Sequence, residues 1–268
     1  MSLAQRIAWL LIAVIVTAAA LASWIVPASY DRQFRDEIQA PPSKAHPLGT
    51  DELGRDRLSR LLHGTQVSLL LAPAAAFLAT LLAALAGTLA GWRGGWLDHA
   101  LESVCDLTMS LPWMFLLLTV RAALPLDVAP MTSVAITFFL LGALGWAGPA
   151  RVVRAGARAL RDSDYMLMAR AQGYRGWRLP VWHLLPGLRP VLTAQFWTSV
   201  PLFILAEANL SLLGLGVVEP MPSWGGLLKE MESLPAIGRN PWILAPAVVL
   251  LMTLASLYVL MGAKEEEA

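Results

Sequence analysis

Apolar positions in this chain gather into six long runs, separated by polar stretches of very different character. The runs are Ile7–Val26, Val67–Trp92, His99–Val120, Met131–Gly148, Val191–Leu213 and Pro241–Met261. Each is close to the ~20 apolar residues needed to cross a bilayer as a helix. The pattern predicts an all-α fold with six transmembrane helices and both ends on one side. Pro112 is positioned to kink the third span. Gly87 and Gly91 in the second allow close helix approach. The first run has a competing reading as a cleaved leader, since Arg6 precedes it and Ala20-Leu21-Ala22 resembles a cleavage site. Its length favours a retained span. The chain divides into residues 1–65 (first helix and outer loop), 66–262 (core membrane domain) and 263–268 (short acidic tail).

Two polar stretches interrupt the runs. Arg151–Pro190 holds eight arginines against Asp162 and Asp164. Charge at mid-bilayer costs a few kcal/mol or more per group, so the stretch belongs at the membrane surface, on the cytoplasmic side by its arginine excess. Within it Asp164–Ala171 reads as a helix, Gly173 as its stop, and Trp177–Leu185 as a second short helix ended by Pro186-Gly187. The other stretch, Tyr30–Thr65, carries six basic and six acidic residues. Its glycines and proline form compact turns, and Asp51, Arg55 and Asp56 can tie it by charge-assisted hydrogen bonds. His46, Asp51 and His63 raise a metal site as the sharper alternative, but no pair has the regular spacing of a metal motif.

Composition narrows the chemistry. Hydrophobic residues make up 57% of the 268 and charged residues 15%, against roughly 25% charged in a soluble domain. This is an integral membrane protein. Its net charge of +1 gives no footing for nucleic acid. Cys105 is alone, so no internal disulfide exists. Only three lysines occur, none in a G-x-x-x-x-G-K-[ST] phosphate loop, and neither H-E-x-x-H nor G-x-S-x-G is present. ATP and magnesium, if used, belong to another subunit. Glu102, Asp106 and Glu207 are acids inside apolar runs. The first two read as structural, and Glu207 reads as facing the pathway, a partner interface or the outer headgroups.

Several motifs carry a family resemblance. Leu167-Met168-Ala169, Gly173 and His183-Leu184-Leu185-Pro186 fall at the spacing of E-A-A-x3-G-x9-I-x-L-P, the cytoplasmic loop of ABC importer permeases. Trp146, Ala150-Arg151 and Arg154 match the W-x3-A-R-x2-R that precedes it. His46-Pro47-Leu48-Gly49-Thr50-Asp51-Glu52-Leu53-Gly54-Arg55-Asp56 resembles the H-P-L-G-T-D-x-x-G-R-D of the dipeptide, oligopeptide and nickel subfamily. Glu207-Ala208-Asn209-Leu210-Ser211-Leu212-Leu213-Gly214-Leu215-Gly216, followed by Pro220, Pro222 and Ser223-Trp224-Gly225, is the most specific signature. Only Leu212 departs from it, in place of Phe. The family's usual longer C-terminal segment is missing.

The resemblance implies the second permease subunit of a type I ABC importer in the inner membrane, with cytoplasmic termini. It would pair with a homologous permease as a heterodimer, with two ATPases and an extracytoplasmic substrate-binding protein. Peptides are the expected cargo, with nickel or a metal complex as the alternative. Asp164, Leu167, Met168, Ala169, Arg170, Gly173, His183, Leu185 and Pro186 would couple to the ATPase. Arg170, Arg175 and Arg178 have a second reading as anchors to lipid phosphates. Glu207, Asn209, Ser211, Gly214 and Gly216 would line the pathway or the permease interface. His46, Gly49, Asp51, Gly54, Arg55, Asp56, Trp224 and Gly225 would shape the outer plug. A different class is a stand-alone transporter using Glu207, Asp106 and Glu102 as a proton relay. An intramembrane enzyme is a third.

Overall fold

A computed structural model describes residues 2–26, 28–124, 128–232 and 240–265. Among these the chain is helical, with isolated bridges Gln33–Arg55 and Thr50–Asp56 its only extended pairing. The helices are α1 (Leu3–Ala20), α2 (Ala22–Ile25), α3 (Arg57–Arg93), α4 (Gly95–Ser110), α5 (Trp113–Ala123), α6 (Pro130–Leu144), α7 (Ala147–Arg161), α8 (Asp164–Ala171), α9 (Leu185–Gly187), α10 (Arg189–Leu212), α11 (Trp224–Lys229) and α12 (Ala245–Glu265). Of the tail at 263–268 only the helical backbone to Glu265 is described, and the turn after Leu124 also lies partly outside the described residues.

The third apolar run is not one continuous helix. The helix stops at Ser110 and restarts at Trp113, turned by 83°. Proline forces this, because its ring drives the preceding residue out of the helical region. Leu111 accordingly sits at φ −83°, ψ 134°. The Pro112 carbonyl then starts α5 by accepting from Phe115 and Leu116. Five other helices are long and apolar enough to cross a bilayer. The second begins ten residues earlier than its apolar run, at Arg57. Its 37 residues rise about 55 Å at 1.5 Å each, more than a bilayer's hydrocarbon needs.

The chain forms two compact units. One comprises Met1–Ala72, Leu124–Thr137 and Ile204–Ala268; the other comprises Pro73–Ala123 and Phe138–Phe203. In the first, α1 packs along α12, and α11 packs beside α12 as well. In the second, α7 packs on α4 and closes against α3. A Cβ on Gly87 would lie 2.6 Å from the Ala150 carbonyl oxygen, and one on Gly91 would lie 2.6 Å from that of Arg154. These small residues are what let the helices meet at backbone distance. An apolar cluster of Ala83, Cys105, Val153, Met166, Leu184 and Leu188 fills the space between α3, α4, α7, α8 and the start of α10.

Candidate functional site

The most specific sequence signature folds into a closed lock. Glu207, near the end of α10, is 1% exposed. Its Oε1 accepts from the Ser211 and Ser223 hydroxyls, each at 2.7 Å, and its Oε2 accepts from the Gly225 amide at 3.3 Å. Buried polar groups must be paired in this way to avoid a desolvation penalty of about 1–3 kcal/mol each. Ser223 caps α11 by accepting from the Gly226 amide. Beside it, buried Trp224 donates its indole N–H to Thr65 Oγ1 at 2.9 Å, and its amide donates to Ser68 Oγ. The glycines are forced by contact. A Cβ on Gly225 would stand 2.6 Å from Ser211 Cβ, and one on Gly216 would overlap Ser211 Oγ outright. Gly214 ends α10 at φ 77°, with the Leu215 amide bonded back to the Leu210 carbonyl.

Glu207 and Ser211 turn toward the chain's own turn at Ser223–Gly225, where the Ser211 and Ser223 hydroxyls and the Gly225 amide bring three donors onto one carboxylate. Asn209 does point outward, with its amide group bonded to the Leu205 carbonyl and Leu205 and Leu212 exposed on the same face.

The loop at His46–Asp56 belongs to the same unit. His46 is held between Asp56 (Nδ1, 2.7 Å) and Glu37 (Nε2, 3.0 Å), which engages both ring nitrogens. His63 bonds instead to its own helix, at the Ser59 carbonyl. Among the described residues no three potential ligands gather around a metal position. Gly49 and Gly54 adopt φ of 71° and 73°, and a Cβ on either would strike a backbone carbonyl, of Ala40 and Phe34 respectively. Asp51 accepts from the Leu53 and Arg55 amides and from Arg55 Nε.

Two partners escaped the sequence. Glu219 takes Arg55 in a bidentate pair at 2.8 and 3.2 Å, and Glu230 takes Arg57 at 2.7 Å. Buried Arg60 lies 3.3 Å from Glu219 and 3.5 Å from Asp51. The Arg55 guanidinium holds the Glu219 carboxyl below the usual glutamate range, while burial pushes Glu230 above it. More than 150 residues separate these partners along the chain, so no local pattern announces them.

The arginine-rich stretch is a different structure. Its first part is helix α7, set against α4 as an antiparallel ladder of charges. Arg151 pairs with Asp106, Arg154 with Asp98 (2.5 and 2.9 Å) and Glu102 (3.0 Å), and Arg158 with Asp98 (3.1 Å). Arg154 and Asp98 are both buried. Asp98 is absent from the candidates above although its signal is present. Asp98, Glu102 and Asp106 recur every four residues, and Arg151, Arg154 and Arg158 at three and four, so each set lies on one helical face.

After α7 the chain turns outward. Helix α8 spans the residues expected for it; Met166 and Ala169 are buried while Leu167 and Met168 are 62% and 64% exposed. Asp164 and Arg170 are exposed too. Arg170 lies over the Trp92 ring. Gly173 ends the helix at φ 92°, with nothing within 4 Å of where a Cβ would be. The second helix runs through a π-helical turn over Pro180–Leu184 into α9, which takes in Pro186 and ends at Gly187. Pro186 has no N–H to give, and the Leu185 amide bonds five residues back to the Pro180 carbonyl. His183 stacks edge-on to Tyr174 at 4.4 Å, and Leu185 is half-buried.

Residues 83–263 match the family described as binding-protein-dependent transport system inner membrane component. The chain is 32% identical over 249 residues to the glutathione transport system permease protein GsiD of Pectobacterium atrosepticum, covering 92% of this chain and 78% of that one. It is 30% identical over 244 residues to the dipeptide transport system permease protein DppC of Bacillus subtilis, covering 90% and 74%. A GsiD protein of Shigella flexneri is 34% identical over 247 residues, covering 92% and 77%.

Proposed function

The chain belongs to the family of binding-protein-dependent transport system inner membrane components, and from that premise we propose that it carries peptides and receives the power stroke of a cytoplasmic ATPase through α8. It has the type I ABC importer permease fold, is a multi-pass inner-membrane permease subunit, and is not an enzyme. The observation that carries the coupling reading is the outward pair Leu167 and Met168, exposed on a short helix whose other face is buried. Two large apolar side chains on a polar segment are what a groove on a partner protein would bury. Gly173 lets the chain leave that helix in a left-handed turn, and Ala169 beneath keeps α8 close to α7.

In this reading the chain pairs with a homologous permease, two ATPases and an extracytoplasmic binding protein, with both termini and α8 in the cytoplasm. Asn209 faces the pathway or the partner permease, since a carboxamide is costly against lipid. The glutathione and dipeptide systems among the relatives support peptide cargo over nickel. The proton-relay alternative gains nothing from the geometry, because Glu207, Asp106 and Glu102 are each engaged by partners within the fold.

The test is a Leu167→Asp/Met168→Asp variant. Its membrane level should match wild type while the ATPase subunits no longer copurify. Full ATPase retention with normal peptide uptake would remove α8 from the contact. Orientation is tested separately by an impermeant thiol reagent, which should label Ser43→Cys but not Tyr174→Cys in intact cells.

A further inference from the structure

Arginines in this chain fall into two populations. On α7, Arg151, Arg154, Arg158 and Arg161 each pair with a carboxylate of the same unit. Past Gly173 the pattern stops. Among the described residues neither Arg175 nor Arg178 forms an ion pair, and both line an open depression with Gln172, Gly173 and Tyr174. Both are exposed, which leaves their charge available to an outside anion.

The surroundings identify that anion. Trp177 is 67% exposed and Trp182 is 65% exposed. Trp182 lies one helical turn beyond Arg178, on the same face. Leu179, Leu184 and Leu188 point the opposite way into the apolar cluster, so the outward orientation of the two indoles is fixed by packing. Two membrane-crossing helices end at this place. α10 begins at Arg189, and the end of α3 meets α8 through Trp92, over which Arg170 stacks, and α7 through the Gly91 carbonyl, which accepts from Arg161. Exposed tryptophans beside arginines, at the end of membrane spans, have the chemistry of the headgroup layer. Indole prefers a position with one edge apolar and one wet, and guanidinium binds phosphate through two parallel hydrogen bonds.

We propose that the depression at Gln172–Arg178, flanked by Trp177 and Trp182, is a binding site for an anionic phospholipid headgroup of the leaflet it faces. Arg175 and Arg178 take the phosphate and the indoles lie along the acyl–headgroup boundary. The α8 surface carrying Leu167 and Met168 remains free for a protein partner, and the bound lipid braces the return of the chain into α10.

The assembled importer tests this by native mass spectrometry after extraction from nanodiscs of equal phosphatidylglycerol and phosphatidylcholine. Wild type should retain phosphatidylglycerol preferentially, and excess inorganic phosphate should not displace it, whereas a site for free phosphate would be competed. Arg175→Gln/Arg178→Gln should weaken retention about 30-fold, since each cationic side chain at an anionic surface is worth about 1 kcal/mol. Arg175→Lys/Arg178→Lys should keep most of it. Two outcomes overturn the proposal. One is a wild-type importer that shows no preference for phosphatidylglycerol, which requires no variant to fold. The other is a Gln pair that sheds the ATPase subunits with its lipid preference intact, which would give these arginines to the ATPase.

Discussion

The lock around Glu207 and the segment from α8 to Trp182 both carry family motifs, yet they use polar and small residues in opposite ways. In the lock, Glu207 has its donors inside the chain and is closed from outside. Gly216 and Gly225 are glycines because a side chain would collide with Ser211. In the α8 segment, Arg175 and Arg178 stand open, apolar Leu167 and Met168 face outward, and Gly173 has empty space where a Cβ would be. The longer and more specific motif is therefore the more inward one. A motif dense in mutual contacts tolerates little change because every position touches another. An open segment makes few contacts of its own, so the fold constrains only a few of its side chains.

The contrast can be broken most forcefully at Glu207. Glu207→Leu strands two buried hydroxyls and an amide, a loss of about 3–5 kcal/mol. The expected outcome is a sharp fall in the thermal unfolding temperature and in the amount reaching the membrane, with Glu207→Gln milder because it keeps an acceptor. A Glu207→Leu importer of normal stability but failed transport would return Glu207 to the pathway.

Next in size is the ladder between α4 and α7, which tests whether internal charges in the second unit are tied into the fold as firmly as those in the lock. Asp98→Ala leaves Arg154 buried with only Glu102 and should cost about 3 kcal/mol. Asp106→Ala removes an exposed pair and should cost less than about 1 kcal/mol. Denaturation of the purified importer would rank them, and equal effects would mean that burial does not separate the two.

Gly173→Val and Gly225→Val separate the two regions by their backbones. At Gly225 the branched side chain meets Ser211 and Ala208, so the chain should fail to accumulate. At Gly173 the strain of φ 92° costs about 1–2 kcal/mol with no collision. That variant should reach the membrane yet hold the ATPase several-fold more weakly. Normal ATPase retention would show that the turn geometry is not part of the contact.

The smallest effect is in pH. Glu219 has a depressed carboxyl in the folded chain, so its contribution is present above the unfolded value of about 4.3 and is lost as pH falls through the depressed value. Glu230 has a raised carboxyl, so its charge costs stability at neutral pH, a cost relieved as pH falls through the raised value. Glu219→Gln should flatten the acid loss below about pH 4.3. Glu230→Gln should remove the gain above it. Each change should be under about 1 kcal/mol in thermal unfolding followed from about pH 7 to about pH 3.5, because these groups remain partly solvated.

Much of this molecule was legible in its sequence. Six apolar runs specify how many times the chain can cross a bilayer, because hydrophobic length is a local quantity. Helix α8 was legible to the residue, since helix formers ended by Gly173 are also a local matter. Family membership could be read from motifs whose spacing is local. Tertiary structure alone decided which way polar groups point. Glu207 could have faced lipid, pathway or protein, and it became internal only when Ser223 and Gly225 folded back onto it. Arg154 read as surface charge until Asp98, 56 residues away, came beside it. Glu219 and Glu230 acquired their arginines across still longer separations. A charge's environment is a sum over neighbours in space, and for these residues almost none of those neighbours are near in sequence.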